Sequence, residues 1–547
     1  MTCAGCGVEQ RMVNWLFGGL VFAPLAAAVL LPFLRRARAR ILRRWLAGVA
    51  ALATACAIGL LFFIGETPTI AFTWLPGTGE MGFSLERAGL LAALATSATA
   101  AFVFAGTART LREASISARL AGMVWLVTLA AANAAFLSAH FLARYVALEV
   151  VGLCIALAAL IEIGEMRGLR RGGLVYLLLR IGDAGLLTAI LLLGARTGTL
   201  EIGPALAAAP TLSARALAWV TAGFALAVSV KIGLWPFHFW VRVGQSLSRP
   251  SDLWLYATVM PNLGLYLLYR TAPLLALPGA LNTALLLVGA ISGGAALAVM
   301  LFWPLPELFP VYVMAAQGGL AMVVAAGGGG AVLPWAILVF TAVRPLLWLV
   351  SRMQGRARVA TVGLSGSALL LFWIWALMAT RLSPVALVAA GGLLALTLMW
   401  MLLALPKYTL RAAPAWLQRD WEDDSEAALT RFATRFHDLV EVRVLERGLD
   451  ALAAGLMRFA QRLYRFIEMG VLEHGVDKSA TGMIETSEAV YQTVEQDRLE
   501  GSVRGLVRAV RAGGHALRAL HAGRLRTNLM WVALTLLTLV LMLVLTG

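Results

Sequence analysis

Charge is scarce in this chain. Only 14% of its 547 residues are Asp, Glu, Lys or Arg, while 60% are hydrophobic and the mean hydropathy is +0.82. A water-soluble domain needs a polar surface that this composition does not supply. Cysteine is sparse as well, with four residues: Cys3, Cys6, Cys56 and Cys154. Cys3 and Cys6 form a CxxC, but a metal site of that kind needs two further ligands nearby, and none follow. No nucleotide, flavin, haem or iron–sulfur motif stands elsewhere. The sequence therefore predicts no metal, no cofactor and no active site of its own.

What the chain has instead is apolar runs of about 20 residues from end to end, the length that crosses a bilayer as a helix. They fall near 13–33, 44–64, 87–108, 116–137, 139–163, 173–195, 214–234, 251–272, 281–303, 307–328, 331–351, 359–380, 383–405 and 527–546. About fourteen spans make this an all-α polytopic membrane protein. The first run is too long, and its trailing arginines too many, for a cleaved signal peptide. The net charge of +16 is no nucleic-acid signature, because the basic residues gather in alternate loops. These are Arg35 to Arg44, Arg109 to Arg119, Arg167 to Arg171, Arg242 to Arg249 and Arg352 to Arg358. By the positive-inside rule those loops are cytoplasmic, the N-terminus is outside and residues 406–526 are cytoplasmic. The expected location is the cell inner membrane, with the lipid bilayer as the main partner.

The chain divides into N-terminal helices over 1–115, helical blocks over 116–276 and 277–405, a cytoplasmic segment over 406–526 and an anchor over 527–547. Thr67 to Glu86, punctuated by Gly and Pro, predicts a short external β-hairpin. A helix break near Trp235-Pro236 has a counterpart near Val343-Arg344-Pro345, as in transporters with inverted five-helix repeats. In the cytoplasmic segment, Leu429, Phe432, Phe436, Leu439 and Val440 keep helical spacing, and so do Leu499, Val503, Leu506, Val507 and Val510. Such amphipathic helices suit a membrane face or a partner subunit, or else a hairpin that packs on itself.

The polar residues inside the spans carry the functional argument. Lys231 ends an apolar helix, with Pro236 close behind to break it. An intramembrane lysine marks an ion path, unless it snorkels to the headgroups. Glu149 sits mid-helix and must be protonated or face a partner, for which Lys231 is the candidate. Arg180 and Asp183, three apart on one face, can satisfy each other. His238 follows the break and is either a proton carrier or structural. In the second block Arg344 is comparable to Lys231 but cannot release a proton, and Gln317 is a polar lining candidate.

These residues support a family resemblance. Lys231-Ile-Gly-Leu-Trp-Pro-Phe-His-Phe-Trp240 with Ser251 to Arg270 resembles the signature of the antiporter-like membrane subunits of respiratory complex I and its relatives. Arg180-Ile-Gly-Asp-Ala-Gly-Leu-Leu187 with Gly198-Thr-Leu200 is similar to the subunit L type in particular. Ala316 to Met322 and Arg344 to Leu349 are similar to two further family segments, and Ala522 to Thr527 to the end of a lateral helix. The resemblance implies proton translocation driven by redox chemistry in partner membrane and peripheral subunits. It places Glu149 and Lys231 at the family's glutamate and lysine, on a path with His238, Tyr256 and Arg344, supported by Arg180, Asp183, Asn262 and Gln317. There are departures. Tyr256 replaces an expected histidine and is a poorer proton carrier, Asn262 stands where lysine or threonine is common, Arg344 replaces a lysine, and Thr341 lies near an expected histidine. Two other functions remain open: the membrane subunit of an inorganic-carbon pump with a zinc-dependent hydrating partner, and a non-conducting scaffold.

Overall fold

The computed structural model describes residues 4–33, 39–63, 69–73, 80–108, 116–163, 165–302, 309–350 and 355–409. The expected amphipathic helices of the cytoplasmic segment, the C-terminal anchor and Cys3 lie outside these residues. So do 34–38, 109–115 and 351–354, which belong to the basic loops.

Two N-terminal helices, α1 (Ala4–Leu30) and α2 (Ala39–Leu61), precede a hairpin of β1 (Thr69–Thr73) and β2 (Glu80–Ser84). The strands pair antiparallel with Thr69 opposite Ser84, so the expected hairpin is present. There follow α3 (Arg87–Ala105), α4 (Ile116–Leu137), α5 (Phe141–Ile163), α6 (Glu165–Thr197), the short α7 (Ile202–Ala208) and α8 (Ala214–Ile232). Short helices α9 (Phe239–Gly244) and α10 (Arg249–Ser251) lead into a π-helical segment, Asp252–Val259, which continues as α11 (Met260–Leu275). The last five are α12 (Ala280–Phe302), α13 (Phe309–Ala326), α14 (Leu333–Val350), α15 (Gly355–Ala379) and α16 (Pro384–Thr409).

Among the described residues, twelve helices are long and apolar enough to cross a membrane. They correspond to twelve of the expected spans. The segment expected at 251–272 forms the π-helical turn and α11 instead of one regular helix. α13 is buried along its whole length, and the outer helices bare Trp15, Phe102, Trp219 and Met378. Side chains of that size facing outward would be a liability in water, and lipid is the solvent in which they cost nothing.

Two expectations about helix breaks are corrected. α8 is ended by Gly233, not by the proline: Gly233 adopts the left-handed conformation (φ 73°) and its N–H bonds the Val230 carbonyl. Only glycine takes that conformation without strain, so the stop is one residue after Ile232 and Pro236 merely follows it. In the second block no break exists at Pro345, because α14 runs through it as one helix. The missing proline N–H deprives the Thr341 carbonyl of its helical donor without ending the helix.

Close backbone approach fixes the register of α6 against α8. A Cβ placed on Gly223 would lie 2.5 Å from the Gly185 carbonyl oxygen, and one on Gly185 3.0 Å from the Gly223 oxygen. Without a hydrophobic drive between helices in lipid, such small-residue contacts supply the packing. Gly223→Ala forces the two backbones apart and is expected to destabilise the protein by about 1–3 kcal/mol. A lowered melting temperature of the detergent-solubilised protein would report it, and an unchanged one would refute the packing argument.

Candidate functional site

The last turn of α8 brings Lys231 into the protein with no exposed surface. Its Nζ donates to Asp183 Oδ1 on α6 at 2.5 Å. Three residues earlier on α6, Arg180 places Nη2 3.0 Å from the other Asp183 oxygen. Arg180 Nη1 pairs with the Glu149 carboxylate on α5. Gly152, one turn along α5 from Glu149, leaves room for this, since a Cβ there would stand 3.3 Å from Arg180 Nη2. The Arg180 guanidinium also lies over the Tyr176 ring, 5.0 Å from its centroid.

The result is a chain of alternating charge, Glu149–Arg180–Asp183–Lys231, running from α5 through α6 to α8. Each ion has an opposite neighbour and the four sum to zero, which offsets the cost of removing them from water. Three of the four can exchange protons, while Arg180 stays charged at any accessible pH.

The direct pairing expected between Glu149 and Lys231 is corrected by this geometry. α6 packs against both α5 and α8, so its Arg180 and Asp183 stand between the two residues. The i,i+3 pair on α6 does satisfy itself, as its spacing predicts, but each member also reaches outward to a neighbouring helix.

The other expected site residues form separate groups. Asn262, fully buried on α11, accepts from Arg344 Nη1 on α14 at 3.0 Å. Its Nδ2 donates to Thr341 Oγ1 at 2.7 Å and Thr96 Oγ1 at 3.2 Å. Arg344 also stacks over Phe340, while its Nη2 is buried without a hydrogen-bond partner among the described residues. Tyr256, on the π-helical segment, donates its hydroxyl to the Ile155 carbonyl of α5 at 3.2 Å. His238 lies buried in the turn after α8, its ring 4.6 Å from that of Phe239 and 5.2 Å from that of Tyr312. Gln317 on α13 accepts from the Trp373 indole of α15 and lines a mostly apolar cavity with Leu297, Val313, Leu369, Thr397 and Trp400.

Sequence reasoning missed a second acidic group. Glu162, near the end of α5, accepts from the Ser248 N–H at 2.7 Å and from the Ser251 hydroxyl. Asp252 opens the π-helical segment with only 5% of its surface exposed. Glu162 ends an apolar run next to a basic loop, and Asp252 follows Pro250, so both look like ordinary helix-end residues. Arg144 was missed too; it bonds the Ala135 and Ser138 carbonyls and so fastens the turn between α4 and α5. Among the described residues no three His, Cys, Asp or Glu side chains gather where they could hold a metal.

Comparison with known proteins agrees with this architecture. The family model described as "NADH:quinone oxidoreductase/Mrp antiporter, TM" matches residues 138–300, the stretch that carries Glu149, Arg180, Asp183, Lys231 and Tyr256. Subunit L of NADH-quinone oxidoreductase from two Mycobacterium tuberculosis strains is 25% identical over 293 residues, 51% of this chain. The match spans 45% of those relatives, a little under half their length.

Solved structures share the fold. A chain of the Mrp complex from Dietzia sp. DQ12-45-1b aligns with a TM-score of 0.62 at 17% identity, covering 98% of this chain and 63% of that one. A chain of the archaeal membrane-bound sulfane sulfur reductase aligns at 0.60 and 14%, covering 80% and 97%. One from Thermus thermophilus respiratory complex I aligns at 0.57 and 21%, covering 80% and 98%. Over residues 138–300 the chain is thus similar to the antiporter-like membrane subunits of this family, and it shares the fold of such chains.

Proposed function

We propose that this chain translocates protons as one subunit of a multisubunit, complex I-like assembly in the cell inner membrane. Glu149, Arg180, Asp183 and Lys231 carry the step. The carrying observation is Lys231: fully buried, ion-paired to Asp183, and joined through Arg180 to a third titratable group two helices away. An ion pair of this kind costs more than well-packed leucines would, so its presence fits a conducting role better than a purely structural one. Opening the Lys231–Asp183 pair frees an amine that can give up its proton, while Arg180 holds the two carboxylates in register. The driving chemistry belongs to partner subunits, membrane and peripheral. In the second helical block, Arg344 offers no proton to release, which makes the proposed path a half channel that ends before α14.

Pumping in membrane vesicles carrying Lys231→Ala tests the reading, with assembly checked on the same sample. We expect assembly to persist and pumping to fall by roughly a hundredfold or more, the scale of a lost proton-transfer group. Unchanged pumping in an intact complex would make the chain a scaffold built on an antiporter fold.

A further inference from the structure

The path from Glu149 to Lys231 leaves unexplained how an ion reaches it from the side of the basic loops. On that side, α5 ends at the carboxyl of Glu162, thirteen residues beyond Glu149 and so about 20 Å along the helix axis. Glu162 is oriented by two donors: Ser251, itself held by the Trp125 indole donating to its Oγ at 2.8 Å, and the Ser248 N–H. Asp252 is the next residue after Ser251; its carboxyl is buried, with the Trp348 indole as its side-chain neighbour. The two carboxyls interact electrostatically, and both act on Tyr256.

Gly244 shows how tightly the second carboxyl and the phenol share one space. A Cβ on it would stand 2.5 Å from Asp252 Oδ1 and 2.7 Å from the Tyr256 ring. Asp252 and Tyr256 lie on the same π-helical segment, a distortion that recurs where helices serve a function rather than mere packing. Tyr256 in turn bonds the Ile155 carbonyl, on the stretch of α5 between Glu162 and Glu149. From the basic side inward the order is Glu162 and Ser251, then Asp252, then Tyr256, then the Glu149 end of the charge chain.

We propose that Glu162 and Asp252 form a proton-loading station on the basic-loop side, with Asp252 Oδ1 as the group that takes up the proton and passes it toward Tyr256. A carboxyl buried beside a second carboxyl is costly as an anion even with an indole donor at hand, and a proton is the smallest ligand that removes that cost. Glu162, held by two donors, fixes the second carboxyl of the station. No covalent chemistry is involved: a proton joins the Asp252 carboxylate from water and leaves it inward, and the carboxylate is regenerated. Tyr256, which stands where the family resemblance leads one to expect a histidine, is then fed by an added carboxyl.

This inference rests on the proton-translocation reading, so its test carries Lys231→Ala in parallel. In vesicles bearing the assembled complex, Asp252→Asn and Glu162→Gln are each expected to slow pumping at least tenfold while leaving assembly intact. Asp252→Glu should restore most of the rate. Azide, a small permeant weak acid, should speed Asp252→Asn more than the parent complex, because it can deliver protons past the missing carboxyl. A merely structural Asp252 would respond to neither. If Lys231→Ala stops pumping but Asp252→Asn pumps at the parent rate, the loading station is wrong and the path stands. If Asp252→Asn is slow yet azide and Asp252→Glu leave it slow, Asp252 is a packing residue and the station is again refuted. If Lys231→Ala pumps normally, both readings fall together.

Discussion

Asp183→Asn is expected to abolish pumping and to destabilise the protein by about 3–5 kcal/mol, the usual cost of removing one partner from a buried ion pair. The change is nearly isosteric, so packing does not explain the loss. It leaves Lys231, which has no exposed surface, with its Nζ against an uncharged amide, and leaves Arg180 with one carboxylate instead of two. The double variant Asp183→Asn, Lys231→Met separates the two effects. Removing both ions should recover most of the lost stability while pumping stays absent, and the cycle yields their coupling directly. Thermal melting of the purified protein and pumping in vesicles give the two readouts. A single variant that melts like the parent and still pumps would take Asp183 off the path.

The expectation about Asp183 could not be drawn from the sequence, and the reason is physical. Helical spacing shows that Arg180 and Asp183 share a face, which already gives each a partner and hides any need for another. That Asp183 meets Lys231 depends on how α6 and α8 lie in register, and this is fixed by Gly185 against Gly223, a contact with no periodic signature. The spans themselves were legible because about 20 apolar residues leave few alternatives in a bilayer, and the hairpin was legible from its glycines and prolines. The π-helical segment was not: residues 251–272 read as one unbroken apolar run, and no residue in Asp252–Val259 marks a change of helical pitch. Proline misled in both blocks. It was assigned the stop that Gly233 makes, and it was assigned a break at Pro345 that lipid-buried helices tolerate. Glu149 stood out as a charge in mid-helix and Lys231 as a lysine of an apolar span beside a helix break, whereas Glu162 and Asp252 sit where helix ends normally carry charge.

Arg344→Met is expected to cost no more than about 1 kcal/mol and to leave pumping in place. Arg344 has 4% of its surface exposed, and no carboxylate pairs with it among the described residues. A lone arginine at that depth costs about 2.5–3.5 kcal/mol on insertion scales. Against this stand the bond to Asn262 and the Phe340 ring, each a gain of about 0.5–3 kcal/mol. The terms nearly cancel, and methionine fills the space of the arginine stem, so a small net change follows. Melting temperature and vesicle pumping of the same preparation check both halves of the expectation. A loss of several kcal/mol would mean that Arg344 has a counter-charge, most simply a small anion held by Nη2. A loss of pumping with stability intact would carry the ion path past Asn262 and into the second helical block, through a residue that cannot itself release a proton. The half channel proposed above requires neither, because its last titratable group is Lys231.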